Sequence, residues 1–271
     1  MSAAGIVLCG GKSSRMGRDK AWLAWRGRPL VAHVVDALRQ SVDDVVVVAS
    51  AELELPPLDA QVVRDREPEL GPLAGIREGL ANVRADLAFV TGTDVPFLTP
   101  AFVKALLSYE GAAAVEMDGF VQTLCAVYPR EALPRAEALL AEGRMRPLHL
   151  LEAMGYRKVA AETLPDADSL RGFNTPQEYL AAVRRVDPQA TAILELLGRA
   201  RLALGARELE VPVGTLAEVL AHARPTLELV EGAQVARPFL VSLDGRVFVR
   251  DVSIPIGPGE QVVVLDASVG G

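Results

Sequence analysis

Apolar runs alternate with amphipathic stretches through the first two thirds of the chain. Gly5-Ile6-Val7-Leu8, the segment DVVVVA from Asp44 to Ala49 and the segment DLAFVT from Asp86 to Thr91 show no polar alternation. Strands covered on both faces of a sheet read this way. Between them, PLVAHVVDALRQ from Pro29 to Gln40 repeats its apolar residues at helical spacing. Gly71-Pro72-Leu73-Ala74-Gly75 opens a second helix, with Pro72 suited to its first turn, and Thr99-Pro100 starts a third that runs to Leu107. A short strand from Gln61 to Arg64 ends in the turn Asp65-Arg66-Glu67-Pro68. This rhythm predicts a mostly parallel sheet in a three-layer α/β fold.

From Ala112 the pattern is less regular. Strands are expected at Ala112–Met117 and Val121–Val127 around the turn Asp118-Gly119, helices at Leu133–Glu142 and Arg146–Met154, a strand at Arg157–Glu162 and a helix at Thr175–Val186. Around Arg184–Gln189 the style changes. Short strands are expected at Thr191–Leu197, Glu208–Val211, Pro238–Leu243, Arg246–Val249 and Gln261–Leu265, with one main helix from Thr215 to His222. The chain therefore divides into an α/β domain over residues 1–187 and a small α+β domain over 190–271.

Composition narrows the classes. Half of the 271 residues are hydrophobic and the formal charge is −7 without long like-charge blocks, which argues against a nucleic-acid partner. Cys9 and Cys125 are the two cysteines and make no CxxC, and His33, His149 and His222 are scattered. The start Met1-Ser2-Ala3-Ala4 has no basic region, and no apolar run reaches the length of a membrane span. The expectation is a cytoplasmic protein with no membrane partner.

The loop Leu8–Lys20, LCGGKSSRMGRDK, stands out against this background. Gly10, Gly11 and Gly17 let a ligand approach the backbone. Lys12, Arg15, Arg18 and Lys20 concentrate positive charge against Asp19 alone. A polyphosphate needs that combination of N–H donors and cations. The loop is neither a P-loop nor a GxGxxG fingerprint, because Ile6 stands where the former needs glycine. Asp94 follows the strand at Asp86–Thr91, on the same carboxyl edge of the sheet. It is read equally well as a magnesium ligand or as the cap of a turn. Asp65 divides the same way between turn residue and ligand contact. No His–Ser pair supports a covalent enzyme intermediate.

Leu8-Cys9-Gly10-Gly11 with Ser13, Arg15-Met16-Gly17 and Asp19-Lys20 resembles the signature of the molybdenum cofactor guanylyltransferases. The resemblance continues through Asp65, Gly71–Gly75, Thr93-Asp94-Val95-Pro96 and Asn174-Thr175-Pro176, and covers about residues 3–186. It implies a Rossmann-like nucleotidyltransferase fold that transfers GMP from GTP to the terminal phosphate of molybdopterin, releasing pyrophosphate. By position, Leu8, Cys9, Gly10 and Gly11 would bind the nucleotide, the first three lining the guanine and ribose pocket. Arg15 and Lys20 would hold the triphosphate as catalytic cations. Asp65 would contact the nucleoside, Asp94 would ligate Mg2+, and Asn174 would be a second metal or phosphate contact. Gln122, Thr123 and Arg146 would meet the pterin. Two positions depart from the family: Cys9 stands where alanine is usual, and Ser50 where asparagine is frequent.

The remaining segment resembles the small sulfur carriers of molybdopterin synthesis, which have a ubiquitin-like β-grasp fold. Its strand at Thr191–Leu197, its helix from Thr215, the turn Gly257-Pro258-Gly259-Glu260 and the end Gly270-Gly271 carry the resemblance. It implies a thiocarboxylate at Gly271, with an adenylating activating enzyme and the molybdopterin synthase large subunit as partners. The competing reading is a cytidylyl or sugar-phosphate nucleotidyltransferase with a ubiquitin-like domain that only docks a partner.

Overall fold

In the computed structural model, which describes residues 2–10, 16–224 and 226–266, the chain divides into two units. One is Met1–Lys12 with Leu30–Gly172; the other is Ser13–Pro29 with Phe173–Gly271.

The first unit is built on the apolar runs. Strands β1 (Ala3–Cys9), β2 (Asp44–Ser50), β3 (Gln61–Asp65), β4 (Leu87–Gly92), β5 (Ala113–Met117), β6 (Phe120–Pro129) and β7 (Arg157–Ala160) form one sheet. Its order is β3-β2-β1-β4-β6-β5-β7. The first four strands are parallel, whereas β6 runs antiparallel to both β4 and β5. The sheet is therefore mostly parallel, as the rhythm predicted, with β6 its one reversed strand. The cause is local: Asp118 and Gly119 both take positive φ, 51° and 78°, which is the type I′ geometry that closes a two-residue hairpin.

Helices α1 (Leu30–Arg39), α2 (Pro72–Asn82), α3 (Pro100–Leu107), α4 (Leu133–Ala141) and α5 (Pro147–Ala153) cover the sheet. Ile6, Val46, Val48, Ala88 and Val90 project from one face into a core shared with Leu73, Ile76 and Leu80 of α2, Leu139 of α4 and Leu150 of α5. Each fully buried aliphatic side chain there contributes about 1.5–3 kcal/mol. The approach of α2 to β1 is unusually close. A Cβ on Gly75 would lie 3.2 Å from Leu8 Cδ2, and one on Gly79 would lie 2.6 Å from Ile6 Cγ2. On the opposite face Gly5 admits Leu38 of α1 to 3.0 Å from its own Cβ position.

The topology makes a crevice. From β1 the chain moves outward to β2 and β3, then crosses to β4 on the other side of β1. The carboxyl ends of β1 and β4 thus flank a topological switch point, where sheets of this type bind ligands.

The second unit begins with a 3-10 turn at Lys20–Trp22 and a tight hairpin pairing Ala24-Trp25 with Arg28-Pro29. After α6 (Pro176–Val186) come β8 (Thr191–Leu196), α7 (Gly198–Leu204), β9 (Glu208–Pro212), α8 (Leu216–Ala221), β10 (Phe239–Leu243), β11 (Val247–Val249) and β12 (Gln261–Asp266). The sheet order is β9-β8-β12-β10-β11, with β8 and β12 parallel at its centre and the outer pairs antiparallel. Its core gathers Leu194, Leu196, Val262 and Val264 from the central strands with Leu216, Val219 and Leu220 of α8.

Helix α7 is an addition to the one main helix expected in this segment. It buries few apolar residues: Ala200 is buried, Leu204 packs partly buried against the core, and Leu202 is 82% exposed. The strand expected at Arg157–Glu162 stops at Ala160 and gives way to a 3-10 turn. No helix among the described residues is long and apolar enough to cross a membrane.

Candidate active site

Strand register aligns the nucleotide residues expected in the first unit along one sheet edge. Leu8 pairs with Gly92, Cys9 with Ala49, and Ser50 with Asp65. Gly10 and Asp94 therefore each follow the Leu8–Gly92 pair by two residues, and Asp65 ends the outermost parallel strand at the same edge. Gly10 is exposed, with no described atom within 4 Å of its Cβ position. Among the described residues no packing contact requires glycine there.

Cys9 is 1% exposed, and burial pushes its thiol far above the ordinary range; Cys125 is buried with the same consequence. A thiol without thiolate character is a poor nucleophile. Neither cysteine of the folded protein should react with Ellman's reagent at pH 8, and both should react in guanidinium. Titration of the thiols in the two conditions checks this.

Asp65 uses Oδ1 to accept from the Glu67 backbone N–H at 3.0 Å, and Glu67 is paired with Arg77 at 3.0 Å. The turn role is thus realised, with the second carboxylate oxygen left outside that turn bond. Asp94 is half-buried and sits in a setting that excludes neighbouring side chains. A Cβ on Gly92 would lie 2.8 Å from Asp94 Oδ1, and one on Gly172 would lie 2.7 Å from the Asp94 carbonyl oxygen. One hard carboxylate at the mouth of a crevice fits magnesium, which takes one or two protein carboxylates and completes its shell with water and phosphate oxygens.

Gln122 and Thr123 lie on β6, where the β5–β6 register shifts between Ala114 and Val115. Arg146 is exposed and directly precedes α5, which packs on β6. Gln122 Nε2 donates to the Phe120 carbonyl, and the Thr123 carbonyl accepts from the buried Tyr128 hydroxyl at 2.9 Å.

In the second unit Lys20 is held by two acceptors. Its Nζ donates to the Phe173 carbonyl at 2.8 Å and to Asn174 Oδ1 at 3.0 Å, with the Phe173 ring centroid 5.9 Å away. Asn174, expected as a second metal or phosphate contact, thus has its amide oxygen directed at the Lys20 ammonium. The acceptors are fixed by the start of α6. Thr175 caps that helix by accepting from the Glu178 N–H, and Glu178 Oε2 accepts from the backbone N–H groups of Asn174 and Thr175 at 2.6 and 3.1 Å. The Asn174 bond is the foremost cause holding the Glu178 carboxyl below its ordinary range. This capping box was legible in Thr175-Pro176-Gln177-Glu178.

Arg18, counted among the cations of the loop, is engaged elsewhere. It makes a two-pronged ion pair with Glu260 at 2.6 and 2.9 Å, and its Nη1 also donates to the Pro255 carbonyl at 3.1 Å. Nothing local in the sequence signals this, because the partner lies 242 residues away. Arg15 and Gly11 lie outside the described residues, as does Gly271.

Residues 5–157 match the model of the MobA-like NTP transferase domain. A Pseudomonas entomophila protein named molybdenum cofactor guanylyltransferase is 36% identical over 183 residues, covering 65% of this chain and 95% of that protein. Among solved structures, molybdopterin-guanine dinucleotide biosynthesis protein A from Archaeoglobus fulgidus shares the fold at TM-score 0.58 and 22% identity, over 68% of this chain and 99% of that one. So does 2-C-methyl-D-erythritol 4-phosphate cytidylyltransferase from Thermus thermophilus, at TM-score 0.53 and 19% identity over 67% of this chain and 97% of that one.

Proposed function

The chain belongs to the MobA-like NTP transferase family and is a nucleotidyltransferase, and from that premise we propose that it transfers GMP from GTP to molybdopterin. The 36% identity to a guanylyltransferase over nearly the whole of that relative carries the reading.

In this reading Leu8, Cys9 and Gly10 meet the nucleoside through backbone groups, and Asp65 contacts it with the carboxylate oxygen not used in its turn. Lys20 and Arg15 hold the triphosphate. Asn174 acts on it through Lys20, whose ammonium it helps to aim. Asp94 would hold magnesium, which supplies positive charge at the phosphate oxygens when bound. Gln122, Thr123 and Arg146 meet the pterin substrate.

The reaction is an in-line displacement. An oxygen of the pterin phosphate forms a bond to the α-phosphorus of GTP, the bond from that phosphorus to the bridging oxygen breaks, and pyrophosphate leaves. The nucleophile is already ionised at neutral pH, so no general base is required of the protein. What the protein supplies is position and a cation where charge grows on the leaving group.

The segment after residue 190 is read as a ubiquitin-like sulfur carrier. Its strand order, with the first and last strands parallel at the centre and a helix packed on one face, supports this. The group it would present, the Gly271 carboxylate, lies outside the described residues. An adenylating enzyme would activate that carboxylate, and the molybdopterin synthase large subunit would accept the sulfur.

Transfer assays with purified protein, magnesium and molybdopterin test the first reading. GTP should yield the dinucleotide and pyrophosphate, and CTP should compete weakly. Preference for CTP would instead favour a cytidylyltransferase on the same scaffold. Mass spectrometry after incubation with an activating enzyme and a sulfur donor tests the second. A thiocarboxylate at Gly271 is expected, and an unmodified end would favour a docking role.

A further inference from the structure

The pairing of Arg18 with Glu260 is not an ordinary surface contact. The Glu260 side chain is 5% exposed and that of Arg18 13%. Burial alone would lower the Arg18 pKa, yet attraction and hydrogen bonding from Glu260 raise it overall. Glu260 is itself fixed, because its Oε2 accepts from the Gly257 backbone N–H at 2.6 Å. Buried pairs of this kind leave a costly unpaired charge when one partner is removed.

The contacts around this pair extend in both directions along the loop segment. On one side, a Cβ on Gly17 would lie 2.6 Å from Ile254 Cγ2, so the backbone rests directly on that side chain. On the other, Gly257 lies against Tyr179 and Ala24, and the Tyr179 hydroxyl donates to the Ala24 carbonyl at 2.5 Å. Tyr179 in turn meets the Phe173 ring edge-on, with centroids 5.2 Å apart, and Phe173 provides the carbonyl that accepts from Lys20. A continuous set of packed and hydrogen-bonded groups therefore joins the turn at 257–260 to the Lys20 ammonium.

The relative from Pseudomonas entomophila is matched over 95% of its length by the first part of this chain. It has no room for a counterpart of the segment that provides Glu260. In this chain that segment takes part in holding the loop.

We propose that Glu260 is a positioning residue for nucleotide transfer, acting through Arg18 to set the segment Met16–Pro29 and with it Lys20. The proposal rests on the reading of Lys20 as a triphosphate ligand. It assigns the C-terminal segment a part in the first activity, separate from any chemistry at Gly271.

The two tryptophans of the chain, Trp22 and Trp25, both lie in the segment concerned. Their emission reports on it without reference to any substrate. Trp25 is 1% exposed, and Trp22 lies under the Arg246 guanidinium at 5.5 Å. The test uses the full chain as wild type, Arg18→Met, Glu260→Gln and the double variant. Arg18→Lys, which keeps the charge but not the fork, stands in if the methionine variant does not fold. Melting curves verify folding. Each single variant should shift tryptophan emission to the red and raise KM for GTP about tenfold with kcat within about twofold, a loss in the range of positional coupling. The double variant should be no worse than either single, because both act through one bond.

Wild-type emission and KM in folded variants would overturn the proposal, as would multiplying effects in the double variant. If wild-type protein does not turn over GTP, the guanylyl reading has failed. Emission then still decides the structural half: a red shift supports the hold of Glu260 on the segment, and an unchanged spectrum refutes it.

Discussion

Replacing Lys20 by methionine should lower kcat/KM for GTP by about 10²–10³-fold, the range typical of removing one preorganised group that meets developing charge. The expectation rests on how the ammonium is held. Two neutral acceptors, the Phe173 carbonyl and Asn174 Oδ1, orient it. Glu178 influences it from within the capping box, where its carboxylate is bound to backbone N–H groups. Both acceptors thus aim the ammonium. Methionine keeps an unbranched side chain of similar length beside Phe173, so melting should change little while transfer collapses. Lys20→Arg should not restore the rate, because a planar fork cannot reproduce a point donor between these acceptors. Steady-state kinetics with GTP, beside melting curves, check both outcomes. Activity near wild type would mean that Lys20 is structural.

Asp94→Asn should cost a comparable factor, again about 10²–10³, and in addition should raise the magnesium concentration needed for half-maximal rate. An amide oxygen is a weaker ligand for a hard cation than a carboxylate. The substitution is nearly isosteric, which matters because Asp94 Oδ1 lies only 2.8 Å from the Cβ position of Gly92. Magnesium titrations of wild type and variant make the comparison. A lower rate with an unaltered magnesium midpoint would assign Asp94 to capping its turn. Neither the Lys20 nor the Asp94 substitution should affect any chemistry at Gly271.

The parallel strands were plain in the sequence because strands covered on both faces leave no polar alternation, as in DVVVVA and DLAFVT. The carboxyl-edge position of Asp94 followed from its placement directly after such a strand, and that of Asp65 from closing the more exposed strand that starts at Gln61. Their alignment with Cys9 and Ser50 needed the register, which apolar runs do not encode. Helix α7 was hidden by an exposed Leu202 in a segment with little to bury. The close contact of α2 with β1 depends on Gly75 and Gly79, visible as letters but meaningful only once Ile6 and Leu8 stand opposite them. Arg18 misled for a related reason. Charge density in a glycine-rich loop argues for phosphate, but it cannot reveal a buried carboxylate at the far end of the chain.

The second unit draws on the chain twice, at Ser13–Pro29 and again from Phe173 onward. During synthesis the ribosome releases Arg18 242 residues ahead of Glu260. The strands of the first unit emerge in the interval and are free to pair, while the segment after Arg18 still lacks its carboxylate. A nascent or prematurely ended chain would therefore carry an assembled sheet and an unanchored loop. On this arrangement, full affinity for nucleotide would come only after Glu260 has been made, late in the order of translation.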